Sequence, residues 1–311
     1  STQTVNKWAA DFMKELADVC RRNEAVRRKR LTSETVAAEI VGPYRRAKRR
    51  LLLFDYDGTL APIRSRPEEA VPSHRLCELL RTLGTDAANR VVICSGRDSG
   101  TLEKWFGGLP VSLTAEHGAF YKDRGAWRCN IRPASWDPKL SALLEHFARK
   151  TPRSRIERKQ TALAWHYRES DAWLGTLRAQ QLVNALISIC TRQKLQILQG
   201  NKVIEIKSPD YNKGSEVNRL LSNKRYDFVI AMGDDTTDDD MFQALPLNAV
   251  TVKVGSISEI ANYNLPSQTD VLPFLQAIIG RQKGSGINTN STVKKRLASP
   301  LDFFKDLLKT K

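Results

Sequence analysis

The sequence predicts an α/β fold, with a doubly wound parallel sheet as its core and an inserted α+β cap domain. Three apolar runs without polar alternation carry this prediction, at residues 51–54, 91–94 and 228–232. Such runs are typical of strands buried on both faces, as in parallel sheets covered by helices. Each run ends in a polar cluster, and ligands of Rossmann-like sheets bind just beyond the carboxyl ends of the strands. We therefore expect the three clusters to line one cleft.

The inserted domain is indicated by a change of pattern near residue 122. Shorter strands with some alternation and two helices then follow, and the alternation of strands and helices typical of the core resumes only after Lys213. This mixture is typical of an α+β layer. We expect a core domain at residues 46–121 and 206–280, with the cap domain at residues 122–205.

The two ends of the chain have their own character. Apolar residues at three- and four-residue spacing predict an amphipathic helix over residues 5–19, within an arm or linker at 1–45 that we expect outside the core. Residues 281–298 are rich in Gly, Ser, Asn and Thr, which predicts a flexible linker. Ser299 and Pro300 then favour the start of a C-terminal helix, so 281–311 is predicted as linker plus helix.

Composition limits the classes of partner. The 311 residues carry a net charge of +16, which is compatible with polyanion binding. The basic runs lack interleaved aromatic residues, so we predict no nucleic-acid partner and attribute the charge to a surface that attracts a small anion. No apolar run approaches the length of a membrane span, so no membrane partner is expected. Five scattered cysteines without metal-type spacing favour reduced thiols and a cytoplasmic location.

Asp55 and Asp57 are the candidate catalytic pair. They are two residues apart at a strand end, so their side chains lean to the same side. One carboxylate can attack phosphorus and form an aspartyl phosphate, while the other protonates the departing alcohol oxygen and then takes a proton from water. The alternative is a polar turn after a strand. Thr59, Leu60 and the partner clusters favour catalysis.

Ser95, Gly96 and Lys213 are candidate phosphate ligands. Ser95 offers a hydroxyl, and the turn at Gly96 offers backbone N–H groups. Lys213 opens a predicted helix, where its charge can hold a phosphate. Each feature alone also fits a plain turn or a solvated surface lysine.

Asp234, Asp235 and Asp238 crowd like charges at the end of the third strand. Without a cation this arrangement is electrostatically unfavourable. Hard oxygen ligands fit Mg²⁺, which keeps waters and bridges to a substrate phosphate. The alternative is a helix N-terminus, where acidic side chains complement the helix dipole.

Together these motifs resemble the haloacid dehalogenase superfamily of aspartate-nucleophile phosphatases. The order Asp55-x-Asp57-Gly-Thr, Ser95, Lys213 and Gly233-Asp234-x-x-x-Asp238 is the four-motif set of that superfamily. The resemblance implies Asp55 as nucleophile and Asp57 as acid/base. It also implies Mg²⁺ on Asp55, the backbone carbonyl of Asp57 and Asp234, supported by Asp235 or Asp238.

Residues 46–280 resemble the trehalose-6-phosphate phosphatase family more narrowly. The motifs are Asp55-Tyr-Asp-Gly-Thr-Leu, Ser95-Gly-Arg, Ala115-Glu-His-Gly, Trp165-His-Tyr-Arg and Gly233-Asp-Asp-Thr-Thr-Asp-Asp-Asp-Met-Phe. Thr236 and Asp239 depart from the usual pattern. The resemblance implies hydrolysis of trehalose 6-phosphate under a mobile cap.

By the same resemblance Glu157, Lys159 and Glu205 contact sugar hydroxyls, with Arg168 as a further contact. Each also fits a surface charge. His117 is either a cleft ligand or a structural histidine, and His166 is expected to be structural.

Residues 1–45 resemble the tail of the synthase-type domain that precedes the phosphatase in fungal two-domain proteins. This implies a synthase-like partner domain and a trehalose synthesis complex. Two other functions stay open: a phosphatase for another phosphosugar such as sucrose phosphate, and a non-catalytic basic binding module.

Overall fold

The computed structural model describes residues 31, 35–123, 125–130, 136–222 and 224–280. The predicted helix at residues 5–19 and the predicted linker and helix at 281–311 lie outside these ranges. None of the helices within them is long and apolar enough to cross a membrane.

The described residues form twelve strands in two sheets. Their bounds are β1 (Arg50–Phe54), β2 (Asn89–Cys94), β3 (Ser112–Ala115), β4 (Phe120–Lys122), β5 (Arg128–Cys129), β6 (Arg155–Arg158), β7 (Ala162–His166), β8 (Gln196–Gly200), β9 (Val203–Lys207), β10 (Phe228–Gly233), β11 (Val250–Val254) and β12 (Tyr263–Leu265).

Eight α-helices connect these strands within the described residues. Their bounds are α1 (Gly42–Arg46), α2 (His74–Thr85), α3 (Ser99–Phe106), α4 (Pro138–Arg149), α5 (Ala172–Gln193), α6 (Lys213–Leu221), α7 (Thr236–Gln243) and α8 (Val271–Ile279).

The core sheet has the strand order β12-β11-β10-β1-β2-β3-β4-β5. Its first six strands are parallel, and β4 and β5 add an antiparallel edge. The three predicted strands β10, β1 and β2 lie side by side at its centre. Their carboxyl ends therefore open onto one edge of the sheet.

Both faces of the core sheet are covered, which confirms the doubly wound architecture. Leu52 and Phe54 of β1 pack in one cluster with apolar residues of α2, α3 and α8. Leu51 and Leu53 pack on the opposite face with residues of α6 and α7. Strand residues that alternate between two buried faces produce a run without polar interruptions.

The cap domain comprises α4, β6, β7, α5, β8 and β9, at residues 138–207. Its sheet is antiparallel, with the order β6-β7-β9-β8. Ile156, Trp165 and Ile204 lie on the face that packs against α4 and α5. Glu157 and Glu205 are both in register with Ala164, so they share the opposite face. Period-two alternation thus places two carboxylates on the side without helices.

The boundaries between the core and cap sheets lie at different residues from those expected. Strands β4 and β5 extend the core sheet, so the chain stays in the core beyond the expected boundary at 122. Strand β9 pairs with β7 and β8, so residues 206 and 207 belong to the cap sheet. A short antiparallel hairpin and a cap strand look alike in sequence because both alternate in polarity.

The described part of the N-terminal segment also differs from expectation. We expected residues 1–45 outside the core, but Val36, Ile40 and Tyr44 are buried in the same cluster as β1. The Tyr44 ring meets Phe228 of β10 edge-on, with centroids 5.6 Å apart. Basic runs at residues 27–30 and 45–50 flank this apolar spacing and obscure it, because they lower the mean hydropathy of the surrounding sequence.

Candidate active site

The polar clusters meet in a cleft of about 860 Å³ between the core and cap domains. Twelve of the thirteen predicted site residues line it, and they come from both domains. The predicted residues that line it are Asp55, Asp57, Ser95, Gly96, His117, Glu157, Lys159, Arg168, Glu205, Lys213, Asp234 and Asp235. Asp238 lies directly behind them, fully buried.

Lys213 joins two of the predicted acids beneath the cleft. Its Nζ atom lies 2.5 Å from Asp55 Oδ1 and 2.6 Å from Asp238 Oδ1. Asn212 and Ser215 form a capping box that fixes the start of α6, which places Lys213 at the first position of the helix. All three charged side chains are at least nine-tenths buried, so their interaction is weakly screened by solvent.

Burial dominates the titration of this group. It raises the pKa of Asp55 well above the ordinary value; the Lys213 charge opposes this, and the Asp238 and Asp234 charges add to it. Burial alone would lower the pKa of Lys213, but the charges of Asp238 and Asp55 hold that pKa well above its usual range. Lys213 therefore stays charged at neutral pH and offers a fixed positive centre beside the candidate nucleophile.

Three carboxylates have the arrangement of a cation site. Asp55, Asp234 and Asp238 each offer an oxygen, and these atoms lie within 4.8 Å of one another. Asp234 Oδ1 is buried and has no hydrogen-bond partner among the described residues. Burial, followed by the Asp238 charge, raises the pKa of Asp234 to about 7. An unpaired buried acceptor among like charges fits a hard divalent cation, which accepts oxygen ligands.

Glycine is required where the backbone passes the acidic group. Gly58 has a φ of +84°, and a Cβ built there would lie 2.0 Å from Asp234 Oδ2. A Cβ at Gly233 would lie 2.1 Å from Cγ of Asp238. Both distances are far below van der Waals contact, so the two glycines let the strand ends and carboxylates approach each other.

Two residues predicted for the metal site have carboxylates with other partners: Asp235, and Asp57, of which only the backbone carbonyl was expected to bind the ion. Asp235 Oδ1 accepts the backbone N–H of Thr236 at 2.7 Å, and Asp235 thus caps α7. Both carboxylate oxygens of Asp57 accept hydrogen bonds from Arg97, at 2.6 and 2.8 Å. Neither carboxylate belongs to the cluster of three. Helix capping and an arginine pair satisfy them instead.

Ser95 and Gly96 lie in the loop after β2. The buried Ser95 side chain accepts the backbone N–H of Arg97 at 3.2 Å, which closes a tight turn. His117 crowds this turn, since a Cβ at Gly96 would lie 2.4 Å from His117 Nε2. The turn at this edge is the place predicted for phosphate oxygens.

A buried cap lysine reaches this loop. Lys159 Nζ donates to the backbone carbonyl of Gly96 at 2.9 Å and lies 2.6 Å from Glu205 Oε2. Glu205 Oε1 is 3.5 Å from His117 Nε2. Burial lowers the pKa of His117 to about 3, so this imidazole is neutral at pH 7. His117 thus contacts Glu205, a residue predicted to bind sugar hydroxyls. This position is compatible with both predicted roles of His117, as a cleft ligand and as a structural histidine.

Glu157 pairs with His166, a cleft residue that sequence reasoning missed. His166, predicted to be structural, lines the cleft and lies 2.7 Å from Glu157 Oε2 through Nε2. Burial alone would raise the pKa of Glu157, but the His166 hydrogen bond and the Lys159 charge bring it down to about 2. The pairing of β6 with β7, which places residues 155 and 166 opposite each other, is the signal that finds it.

Arg168 joins the two domains at the cleft. It donates to the backbone carbonyls of Arg64 at 2.5 Å and Asn201 at 2.6 Å. Arg64 belongs to the core loop after β1 and also lines the cleft, so this cap side chain connects the two domains there.

A buried polar contact between the core and cap domains was not predicted. Glu116 accepts the backbone N–H of Thr161 at 2.9 Å and also its hydroxyl. Tyr211 Oη donates to Thr161 at 2.9 Å. Glu116 lies in the core loop after β3, and Thr161 lies between β6 and β7 in the cap. The two domains thus share a hydrogen-bonded contact that is shielded from water.

The arrangement has a counterpart in a known family. The family model described as trehalose-phosphatase matches residues 53–269. The chain belongs to the trehalose-phosphatase family. Membership in this family implies a divalent metal ion in general, and the acidic cluster described above fits one.

Individual relatives agree with this family. A trehalose-phosphatase from Zygosaccharomyces rouxii is 39% identical over 78% of this chain and 30% of its own length. A bifunctional trehalose-6-phosphate synthase/phosphatase from Thermoproteus tenax is 38% identical over 88% of this chain and 38% of its own length. The solved C-terminal domain of Candida albicans trehalose-6-phosphate phosphatase is 34% identical with a TM-score of 0.74, covering 80% of this chain and 97% of that structure.

The match covers most of this chain but only part of each curated relative. This chain spans only about a third of their length, between 30% and 38% for the two named above. It does span almost all of the solved domain from Candida albicans. The correspondence is therefore to the phosphatase domain of longer proteins.

Proposed function

We propose that the protein hydrolyses trehalose 6-phosphate to trehalose and inorganic phosphate in a Mg²⁺-dependent reaction. The observation that carries the proposal is the buried contact between Lys213 and Asp55 at 2.5 Å, within the acidic cluster and in the same cleft as the cap carboxylates. Membership in the trehalose-phosphatase family supports the choice of substrate.

The first half-reaction transfers the phosphoryl group to the protein. Asp55 attacks phosphorus, the bond from phosphorus to the sugar oxygen breaks, and Asp57 gives that oxygen a proton. Lys213 stays within hydrogen-bond distance of Asp55 and offsets the negative charge of the transferring group. Ser95 and the turn at Gly96 hold phosphate oxygens.

The second half-reaction frees the enzyme. Water attacks phosphorus, the bond from phosphorus to Asp55 breaks, and Asp57 takes the proton of the water. Asp55 and Asp234 would hold the metal ion, together with the backbone carbonyl of Asp57. When bound, Mg²⁺ supplies positive charge next to the phosphoryl oxygens. Asp238 would support this site, and its carboxylate also lies 2.6 Å from Lys213 Nζ.

The cap side chains recognise the sugar. Glu157, Lys159 and Glu205 face the cleft with charged groups that bind hydroxyls well. Arg168 contributes by connecting the two domains at the cleft, through the carbonyls of Arg64 and Asn201. Closure excludes water from the reacting groups, and reopening releases the products.

The wider setting is also proposed. The bifunctional relative from Thermoproteus tenax supports a synthase-like domain in the full-length protein, and through it a trehalose synthesis complex. A cytoplasmic location is proposed from the scattered cysteines without pairing pattern.

Phosphate release from a panel of sugar phosphates, with and without Mg²⁺, tests the proposal. We expect fast, Mg²⁺-dependent release from trehalose 6-phosphate and loss of turnover in Asp55→Asn without loss of the fold. Faster release from sucrose phosphate would reassign the substrate. A well-folded wild-type protein that releases phosphate from no sugar phosphate, but binds duplex DNA in a salt-dependent way, would favour the basic binding module.

A further inference from the structure

Arg97 forms a two-pronged contact with Asp57. Its Nε atom lies 2.8 Å from Asp57 Oδ2, and its Nη2 atom lies 2.6 Å from Asp57 Oδ1. This fork-to-fork geometry fixes the orientation of a carboxylate as well as its position, which a single donor does not.

The arginine itself is held in place. Its guanidinium carbon lies 4.6 Å from the ring centroid of Trp105 and 5.6 Å from that of Tyr56. Its backbone N–H donates to Ser95 Oγ at 3.2 Å, and its carbonyl accepts the N–H of Glu116 at 2.9 Å. The Arg97 side chain is 11% exposed, whereas that of Asp57 is 37% exposed and reaches the cleft.

We propose that Arg97 is the positioning residue for Asp57. By fixing both oxygens it aims the carboxyl group at the point where the ester oxygen departs, and it keeps that aim through both half-reactions. The inference rests on the proposed function, in which Asp57 gives a proton to the leaving oxygen as the phosphorus–oxygen bond breaks. Arg97 acts through Asp57 and forms no bond with the substrate in this scheme.

Two aryl phosphates whose leaving groups differ in acidity separate this role from others. Phenyl phosphate has a leaving group that needs a proton, whereas 2,4-dinitrophenolate leaves without one. The ratio kcat/KM reports only on steps through cleavage of the ester bond. In Arg97→Met we expect kcat/KM for phenyl phosphate to fall about 10²-fold and that for 2,4-dinitrophenyl phosphate to fall less than about threefold. Arg97→Lys keeps the charge but loses the fork, so its loss should be intermediate.

A double-variant comparison tests the route of action. If Arg97 acts through Asp57, then adding Arg97→Met to Asp57→Asn should cause no further loss on phenyl phosphate, because interacting groups are non-additive. Arg90→Met is the matched control. Arg90 lies near the amino end of β2, away from the loop that carries Arg97. Its Nη2 atom lies 2.5 Å from Asp123 Oδ1, and the two side chains are 18% and 38% exposed. It should keep wild-type kinetics with a comparable loss of thermal stability.

The outcomes are distinct. Equal losses on both aryl phosphates in Arg97→Met, or a full additional loss in the Asp57→Asn background, would overturn the inference and mark Arg97 as a phosphate ligand or a structural residue. If Arg97→Met does not fold, Arg97→Lys carries the same comparison. A wild-type protein that cleaves neither the aryl phosphates nor trehalose 6-phosphate would instead refute the proposed function.

Discussion

Lys159 of the cap domain donates a hydrogen bond of 2.9 Å to the backbone carbonyl of Gly96 in the core domain. Because Gly96 lies in the loop predicted to hold phosphate, a side chain predicted to bind sugar sits directly against the reaction centre. In the proposed reaction, sugar recognition and the contact between the two domains both depend on this one buried ammonium group, whose side chain is 7% exposed.

Replacing Lys159 should impair sugar recognition more than chemistry. In Lys159→Met we expect KM for trehalose 6-phosphate to rise about tenfold or more, since a hydrogen bond to a charged group contributes about 1.5–3 kcal/mol. KM for a small aryl phosphate should change much less. Steady-state kinetics on both substrates measures this.

The variant should also be less stable, because the buried Glu205 loses the ion-pair partner that lies 2.6 Å away. Lys202→Met is the control, since Lys202 contacts Thr176 and the Tyr167 ring within the cap. Equal changes in KM for both substrates would remove Lys159 from sugar recognition.

Gly58→Ala should disable the cation site. The new Cβ would lie 2.0 Å from Asp234 Oδ2, so Asp234 must move. We expect activity to fall by at least about tenfold and the Mg²⁺ concentration for half-maximal activity to rise, as happens when the neighbours of metal ligands are changed. Activity measured across a Mg²⁺ titration tests this.

Gly255→Ala separates backbone strain from the clash. Gly255 has a similar φ of +79° but no atom within 4 Å of a built Cβ. The left-handed conformation alone should reduce stability by about 1–2 kcal/mol in both variants. If both variants lose activity alike, the contact between Gly58 and Asp234 is not the cause.

His117 should make the fold sensitive to acid. Its pKa is about 3 in the fold because of burial, which the Glu205 charge opposes and the Lys213 and Lys159 charges reinforce; the ordinary value is 6.5. Between these values the unfolded chain binds a proton that the folded protein does not. The free energy of unfolding therefore falls as pH drops below 6.5, by up to about 1.4 kcal/mol per pH unit from this group.

His117→Asn should flatten that dependence, and Asn tolerates the φ of +57° found there. Urea denaturation between about pH 4.5 and pH 7 measures the difference in slope. His74→Asn is the control, since the His74 side chain is 87% exposed. A slope unchanged in His117→Asn would show that this imidazole is not held neutral.

Thr161→Val should weaken the buried contact between the domains. The variant keeps the side-chain shape but removes the hydroxyl that Glu116 and Tyr211 share. Loss of one partner from buried polar groups is expected to reduce the free energy of unfolding by about 1–3 kcal/mol.

Thr151→Val is a matched control, because the Thr151 hydroxyl is buried without a hydrogen-bond partner in the described residues. It should be neutral or stabilising. Thermal unfolding compares the two. A Thr161→Val protein as stable as Thr151→Val would mean that the shared hydroxyl contributes nothing to holding the domains together.

The centre of the fold could be predicted because it depends on local pattern. The apolar runs of β1, β2 and β10 give parallel strands, and parallel strands place their carboxyl ends at one edge. That rule alone gathers Asp55, Ser95 and Asp234, which the structure places around one cleft. Their catalytic roles stay predictions.

The pairing of individual side chains could not be predicted in this way. Arg97 is 40 residues from Asp57, and His166 reaches Glu157 only because the register of β6 and β7 places both on one face of the sheet. Such contacts depend on strand register and side-chain direction, which no local pattern specifies. The same holds for Asp235, whose carboxylate caps α7 at the position expected for a metal ligand.

The buried helical stretch before β1 decides where the chain can be shortened. Val36 and Ile40 are fully buried and Tyr44 is 4% exposed, so they form part of the hydrophobic interior. A recombinant fragment that starts at residue 46 would uncover the apolar groove they fill and would favour aggregation. A protease that cuts between residue 46 and β1 should release this stretch only after the interior has opened.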